Sequence, residues 1–341
     1  MVKRMTIADA SAFGLGLGLA IFIGGGGAVP ARAASFDCAK ASTRQEKLIC
    51  ADPSLSEKDE ALANAYAAAR APLSDQGRKQ LLDSQRSWLA YWPIVCFEGR
   101  DIFGRDDADA SDPAACALAE YEARLAALES AVETHGRYRF LRTLTYTVGE
   151  LGGINYSIVP RLTLDAPRGR PATRFNANVA QWVNQREIWT RAGGEEMSEG
   201  SLSIYNQEDD FVGVAGSTYQ YYKGGAHGGV VVSYMNVDLA QGTPIDAATL
   251  FAPGSGWAAF LAARAKDQID ERVGPDGYWR GSLTPELVSD PSIWQLQPEG
   301  LELTFGQYSI GPYAIGILSA DIGWGELHPY LAASAPSFTK K

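Results

Sequence analysis

Apolar residues recur with helical spacing near the end of the first third of the chain. They step by three and four over residues 118–132, which is the period of one helix face. Asp112 and Pro113 precede this stripe as an N-cap residue and a proline at the first helical position. The pattern therefore predicts an amphipathic helix that begins at Asp112-Pro113.

Two earlier stretches have the same period. The first runs through Ala71 and is preceded by Ser54 and Glu57, which together have the spacing of a capping box. The second spans about Asp75 to Val95 and carries Trp88 on its apolar side. Three amphipathic helices predict an all-α N-terminal domain, which we place at residues 36–134.

The hydrophobic period changes at about residue 140, where segments rich in β-branched and aromatic residues have Gly and Pro at their ends. The predicted strands are Phe140–Val148, Ile154–Leu164, Ser201–Tyr205, Phe211–Tyr222, Val230–Val237, Gly300–Phe305 and Ala314–Leu318. The predicted helices are Phe175–Ala192, Trp257–Val273 and a short one near Trp324–Leu331. This mixture predicts a second domain at residues 140–335, of the α+β class with an antiparallel sheet.

The N-terminus has the three parts of a secretory signal. Lys3 and Arg4 precede an apolar, glycine-rich run over residues 13–29, and small residues follow it. We predict a signal peptide over residues 1–33, cleaved after Ala33. A membrane anchor is the alternative, but the run is short and glycine-rich for a bilayer span. We therefore expect a periplasmic or secreted protein of the cell envelope without stable membrane insertion after cleavage.

The charge of the chain narrows the class of partner. The 341 residues carry a formal charge of −10. Residues 1–33 contain three bases and one acid, so cleavage would leave −12. An acidic surface repels nucleic acid and favours basic partners through long-range steering. No residue pattern indicates a cofactor.

Four cysteines lie in the predicted helical domain: Cys38, Cys50, Cys96 and Cys116. In an exported protein they are expected to form two disulfides. Four cysteines allow three connectivities, and we favour the local pairs Cys38–Cys50 and Cys96–Cys116. Zinc binding is the weaker alternative because the chain has no Cys-x-x-Cys.

The helical region resembles the lysozyme-inhibitor family of LprI-like proteins, which are small, secreted, disulfide-bonded helical domains. The matching residues include Phe36-Asp37-Cys38, Glu46 through Pro53, Leu55, Asp59, Gln85 through Leu89, Cys96, Cys116, Tyr121 and Arg124. The resemblance implies a role in binding lysozyme-like enzymes, although no inhibitory residue is matched by position.

Several residues of this resemblance have a structural interpretation. Trp88 and Tyr121 are expected in the core, while Asp59 and Arg124 are expected to form an ion pair or to cap helix ends. The acidic segment over residues 101–112 is either a solvated loop or a cation site. Its spacing lacks the alternation and glycine of a calcium loop, which favours the solvated loop, and no metal site is predicted.

The second region contains a glycine-rich motif between two predicted strands, Tyr219 to Gly229, with Gly224, Gly225 and His227 at its centre. Glycines permit the positive φ angles of a tight hairpin. His227 is either a functional histidine or one whose ring bonds the backbone of the glycine turn. Neither a nucleophile nor an orienting carboxylate can be assigned to it from the sequence, so no catalytic residue is predicted.

This motif resembles the domain of unknown function shared by the anti-sigma factor RsiV and the PdaC-type peptidoglycan deacetylases. The resemblance extends over about residues 145–332. It includes Gly-Gly-Ala-His at 224–227, Asn236-Val-Asp238-Leu239, Tyr308 and Ile310 through Ala314. In RsiV this domain binds lysozyme, and in the deacetylases the chemistry lies on a separate domain. The resemblance thus implies a binding module, with His227, Gly224, Gly225, Tyr308 and Tyr313 as candidate binding residues.

These observations predict a non-enzymatic envelope protein that binds basic lysozyme-like muramidases. Two alternatives remain open: a peptidoglycan hydrolase that uses carboxylates and His227, and a module that binds peptidoglycan or an envelope protein without any link to lysozyme.

Overall fold

The computed structural model describes residues 34–98, 112–148, 155–185, 196–222 and 225–340. Three predicted features lie wholly or mostly outside these residues: the signal peptide, the acidic segment before Asp112, and Gly224. None of the described helices combines the length and the apolar character needed to cross a membrane.

The N-terminal region is helical, as predicted. Its helices are α1 (Arg44–Ala51), α2 (Pro53–Arg70), α3 (Asp75–Glu98) and α4 (Pro113–Glu129). The Asp112 carboxylate accepts a hydrogen bond from the Ala114 N–H at 2.9 Å, which confirms the predicted start of α4.

The predicted capping box at Ser54 and Glu57 is wrong. Helix α2 begins at Pro53, and its N-cap is Asp52, whose carboxylate accepts hydrogen bonds from the Ser54 and Leu55 N–H groups. Proline at the first helical position has no N–H group that needs an acceptor. The Asp52 carboxylate therefore caps the next two N–H groups of the first turn, and Ser54 is a residue within that turn. The capping box belongs instead to Thr43 and Glu46 of the unpredicted helix α1.

Both favoured disulfides are present. Cys38 pairs with Cys50, and Cys96 pairs with Cys116, with Cα–Cα distances of 5.8 and 5.5 Å. The first ties the start of the described chain to α1, and the second ties the end of α3 to α4.

The C-terminal region is built on a seven-stranded sheet whose strands lie in chain order. They are β1 (Val132–His135), β2 (Tyr138–Val148), β3 (Asn155–Ala166), β4 (Glu196–Glu208), β5 (Phe211–Tyr222), β6 (Gly229–Asp238) and β7 (Thr243–Pro244). Each neighbouring pair is antiparallel except β3 and β4, which pair in parallel over residues 155–158 and 196–199.

A second, antiparallel sheet contains β8 (Trp294–Leu296), β9 (Gly300–Phe305) and β10 (Leu318–Gly323). The remaining helices are α5 (Arg170–Gln185), α6 (Ala247–Leu250), α7 (Trp257–Val273), α8 (Pro285–Val288) and α9 (Trp324–Leu327). Helix α5 thus begins five residues before the predicted Phe175.

The predicted strand at Ala314–Leu318 is wrong. Residues Tyr313–Ile315 form a 3-10 turn, and the strand begins at Leu318. Pro312 opens this turn, and Gly316, with a φ of +71°, reverses the chain after it. A left-handed residue at Gly316 interrupts an extended strand.

The two faces of the large sheet contribute to two hydrophobic cores, one shared with the N-terminal helices and one with α5. Adjacent strand residues point to opposite faces, so Leu141 packs with the helical core around Trp88, while Phe140 packs against Phe175 of α5. Trp88 and Tyr121 are buried, as predicted. The division into domains at 36–134 and 140–335 stays a proposal, because β2 and β3 contribute to both cores.

The start of α3 depends on a residue from strand β3. The Ser74 hydroxyl accepts a hydrogen bond from the Gly77 N–H at 3.2 Å, as an N-cap does. The buried Asp165 carboxylate in turn accepts hydrogen bonds from the Ser74 N–H, at 2.9 Å, and from the Ser74 hydroxyl. A Cβ on Gly77 would lie 2.6 Å from Asp165 Oδ1. The tertiary contact therefore explains both the cap and the helical glycine.

We expect Asp165→Ala to lower the free energy of unfolding by about 2 kcal/mol, because it removes two hydrogen bonds to a buried carboxylate and weakens the cap. Urea denaturation followed by circular dichroism measures this change. The control is Asp75→Ala, at the same helix end, where the side chain is fully exposed; it should change stability by less than about 0.5 kcal/mol. Equal losses in the two variants would contradict the proposed role of Asp165.

Candidate functional site

Two loops from different parts of the C-terminal region meet on its surface. The first is the described part of the glycine-rich loop, residues 225–228, which leads into β6. The second is the connection between β9 and β10, residues 306–317. The Gln307 side-chain oxygen accepts a hydrogen bond from the Val230 N–H at 2.8 Å, so the two loops are fixed to each other.

Aromatic rings fill this junction. The His227 ring stacks on Tyr313 with a centroid distance of 3.8 Å and an interplanar angle of 24°. Tyr308 lies 5.8 Å from Tyr313, measured between centroids. The Tyr313 hydroxyl donates a hydrogen bond to the Gly228 carbonyl at 3.3 Å. We name Tyr219, His227, Tyr308 and Tyr313 the aromatic surface.

Gly228 is needed for close packing within the aromatic surface. A Cβ at this position would lie 2.3 Å from the Tyr219 hydroxyl oxygen and 2.4 Å from two carbons of its ring. The Tyr219 ring therefore packs directly on the backbone of Gly228, and a side chain at this position would displace the ring.

The rings of the aromatic surface are accessible to a partner. Tyr308 is 55% exposed and Tyr219 39% exposed, and His227 is also exposed. Tyr308 has a φ of +60°, in the left-handed region that is costly for a residue with a bulky side chain. Strained backbone of this kind concentrates at functional sites. The fold thus holds a large apolar ring in solvent with a strained backbone.

We expect Tyr308→Gly to be more stable than Tyr308→Ala by about 1 kcal/mol, because glycine relieves the left-handed backbone and alanine does not. Both variants remove the ring, so the difference in their free energies of unfolding isolates the backbone strain. Thermal or urea denaturation of the two variants measures it. Equal stability, or a less stable glycine variant, would show that the backbone at Tyr308 is not strained.

The structure brings His227, Tyr308 and Tyr313 together, with Gly225 beside them, while Gly224 lies outside the described residues. His227 Nδ1 lies 2.9 Å from the Gly228 carbonyl oxygen, which is the backbone contact that the glycine-turn interpretation expects. Their role in binding stays a prediction. The sequence did not identify Tyr219 or Gln307 as candidate binding residues, although Tyr219 is the first residue of the glycine-rich motif.

A second cluster lies where the helices meet the sheet. The Tyr91 ring packs against those of Tyr146 and Tyr156, with centroid distances of 5.1 and 5.7 Å. Burial raises the pKa of the Tyr91 and Tyr146 hydroxyls. The pKa of Glu120 is raised to about 7, first by burial and then by the negative charge of Glu199. The cluster therefore contains a carboxyl group that titrates near neutral pH.

The zinc alternative concerned the four cysteines, and the alternative of a cation site in the acidic segment before Asp112 lies outside the described residues. Within the described ranges, no group of three or more His, Cys, Asp and Glu side chains is placed to hold a metal ion. The four cysteines are all disulfide-bonded.

Comparisons with known proteins agree with the two regions of this fold. Residues 38–128, which form the disulfide-bonded helices, match the family model of lysozyme inhibitor LprI. Residues 248–325 match the family model of a protein of unknown function, DUF3298. The two matches confirm the family resemblances inferred from sequence, each over the residues that its family model covers.

Two solved structures of DUF3298 family proteins are similar to this chain over more than half of its length. The one from Bacteroides fragilis is 13% identical and has a TM-score of 0.46; the similarity covers 59% of this chain and 96% of that chain. The one from Pseudomonas aeruginosa is 17% identical with a TM-score of 0.42, over 57% and 95% of the two chains. No curated protein matches the chain.

Proposed function

We propose that this protein is an exported envelope protein that binds lysozyme-like muramidases and blocks their action. The observation that carries the proposal is the LprI match over the disulfide-bonded helices, which supports a lysozyme-inhibitor-like role at the level of the family. Disulfides form and persist in oxidising compartments, and this agrees with the predicted export to the periplasm or beyond the cell.

We propose the aromatic surface as the contact with the muramidase. Tyrosines are enriched among the residues that contribute most to protein interfaces, because they offer a large area with few rotatable bonds. Tyr313 is already held by His227 and Gly228, so little conformational entropy is lost when a partner covers it.

Charge supports the same partner class. The full chain carries −10, and cleavage of the predicted signal peptide would leave −12. A basic enzyme is attracted to such a surface over long range, and the attraction weakens as salt rises. We therefore expect the association rate, more than the dissociation rate, to fall when the salt concentration is raised.

Surface plasmon resonance with the mature protein and a purified basic lysozyme tests the proposal. A saturable, salt-sensitive complex is expected. Sedimentation with purified cell wall provides the contrast, because binding to the wall without binding to the enzyme would indicate a peptidoglycan-binding module instead.

The hydrolase alternative rests on Glu120 and Glu199. A carboxyl group with a raised pKa beside a second carboxylate is the type of pair that glycosidases use as acid and base. Release of soluble fragments from purified peptidoglycan by the mature protein alone, lost in Glu120→Gln, would support this alternative over the binding function.

A further inference from the structure

The segment that follows the predicted cleavage site is fixed to the helical region. Ala34 is 6% exposed and belongs to the hydrophobic core of the N-terminal helices. The next residue, Ser35, donates its N–H to Asp59 Oδ2 at 2.8 Å, and Cys38 is disulfide-bonded to Cys50 of α1. A chain terminus is usually poorly ordered unless such contacts hold it. The predicted mature terminus is therefore held beside Asp59 of α2.

The Asp59 carboxylate is buried without a cationic partner among the described residues. It is 8% exposed. Its two oxygens accept hydrogen bonds from the Ser35 N–H and from the Tyr121 hydroxyl, the latter at 3.2 Å. Both donors are neutral groups. A buried carboxylate without an opposite charge costs free energy even when it is hydrogen-bonded, so Asp59 lacks the charge that would offset its burial.

The basic side chains nearest to this position in the helical core are engaged elsewhere. Arg124, the predicted partner of Asp59, donates its Nε–H to the Gln85 side-chain oxygen at 3.0 Å. Lys58, next to Asp59 in α2, forms an ion pair with Glu122 of α4 at 3.0 Å. Neither side chain therefore neutralises Asp59.

Cleavage of the predicted signal peptide would create a cation at this place. Hydrolysis of the Ala33–Ala34 peptide bond by a signal peptidase adds one water molecule: Ala33 leaves with a carboxylate, and Ala34 keeps the amine. An α-amine is mainly protonated at neutral pH. The nitrogen atoms of consecutive residues are less than about 4 Å apart, so the ammonium lies beside the Ser35 N–H that already contacts Asp59. Rotation about one backbone bond of Ala34 turns it toward the carboxylate.

We propose that removal of the signal peptide creates an ion pair between the Ala34 ammonium and Asp59, and that this pair stabilises the helical region of the mature chain. In the precursor the same nitrogen is an uncharged amide, so Asp59 stays uncompensated and the helical region unfolds more readily. The inference rests on the export that the proposed function includes, and it does not depend on muramidase binding.

Urea denaturation of two chains tests the ion pair. One chain begins at Ala34, and the other keeps Ala33 as its first residue. The additional residue leaves the Ala34 N–H in place but moves the positive charge away from Asp59 by one residue. We expect the equilibrium constant for unfolding at neutral pH to be at least about 10-fold larger in the longer chain, because its buried carboxylate has lost a charged partner.

A variant of Asp59 separates the charge pair from the packing of the chain terminus. In Asp59→Asn the difference between the two chains should shrink to less than about 2-fold, because an amide offers no charge to the ammonium. The matched control is Asp52→Asn at the N-cap of the same helix, which should leave the difference between the two chains in place. The comparison of the two unaltered chains tests the pair even where Asp59→Asn does not fold.

Amino-terminal sequencing of the protein recovered from the cell envelope tests the cleavage itself. We expect Ala34 as the first residue. A chain that begins at Ser35 would carry the ammonium on the nitrogen that already contacts Asp59, and it would support the same pairing. Any other first residue would overturn the proposal, and absence of the protein from the envelope would contradict the export on which it rests.

Two results of the denaturation experiment would also overturn the proposal. One is equal stability of the chains that begin at Ala33 and Ala34. The other is an unchanged difference between these chains in folded Asp59→Asn, which would assign the effect to packing of the chain terminus and not to charge. A protein that passes these tests but does not bind a basic lysozyme would contradict the proposed function alone.

Discussion

Alanine at both Tyr308 and Tyr313 is expected to weaken binding of a basic lysozyme by about 100-fold or more. The double variant removes two neighbouring rings of the aromatic surface, whose centroids lie 5.8 Å apart, and aromatic residues in the core of an interface each contribute about 2 kcal/mol or more. Surface plasmon resonance gives the dissociation constant, and most of the change should be in the dissociation rate.

Two further variants control this prediction. Leu89→Ala removes a large apolar residue of α3 that is 50% exposed, so it tests whether the helical region makes the contact instead. Tyr313→Phe keeps the ring and removes the hydroxyl bonded to Gly228. Wild-type affinity in the folded double variant, or a large loss in Leu89→Ala, would contradict our assignment of the contact surface.

Replacing Glu120 by glutamine should remove a pH dependence of stability. The pKa of Glu120 is raised from an ordinary value of 4.5 to about 7 in the folded protein. As pH rises through this interval, the unfolded chain releases its proton first, so the free energy of unfolding of the wild type falls. The penalty is complete above the folded pKa and amounts to about 3 kcal/mol.

We therefore expect Glu120→Gln to equal the wild type near about pH 4 and to be more stable by about 3 kcal/mol near about pH 8. Urea denaturation at several pH values measures the difference. Glu129→Gln, at an exposed position of the same helix, serves as the matched control and should follow the wild-type profile. A pH-independent difference between wild type and Glu120→Gln would show that Glu120 is ionised normally.

Local signals in the sequence were sufficient for the elements whose ends are set by neighbouring residues. Asp112 and Pro113 carry both the cap and the first-turn geometry of α4, so the helix start follows from two adjacent positions. Strands β5 and β6 were placed correctly for a similar reason, since the glycine-rich motif between them breaks the alternating pattern. Helix α1 was missed because it has eight residues and buries only Ile49, which is too little for a periodic pattern.

Other features depend on contacts between distant parts of the chain. The cap of α3 involves Ser74 and Asp165, which are 91 residues apart, and no local pattern encodes that pair. The parallel pairing of β3 with β4 likewise depends on contacts between distant residues, since the strand pairs on both sides of it are antiparallel. The packing of the N-terminal helices on β2 also depends on distant contacts, because hydrophobic periodicity identifies the apolar face of a helix but not the element that covers it.

The candidate site was partly predictable. His227 and the tyrosines near 310 were found through their family resemblance, but their contact was not, because Gly228 and Tyr313 are 85 residues apart. The left-handed backbone of Tyr308 has no sequence signal, since glycine would be the expected residue there. The expectation that Asp59 and Arg124 form an ion pair or cap helix ends is wrong: Asp59 accepts hydrogen bonds from the Ser35 N–H and the Tyr121 hydroxyl, and Arg124 Nε donates to the Gln85 side-chain oxygen.

The most direct test of the proposed function is the rate at which a basic lysozyme clears a suspension of bacterial cell walls in the presence of increasing mature protein. We expect the rate to fall toward zero as the protein approaches molar excess over the enzyme, and the Tyr308, Tyr313 double variant to leave lysis almost unchanged. Undiminished lysis at a large excess of folded wild-type protein would contradict the proposal that it blocks lysozyme-like muramidases.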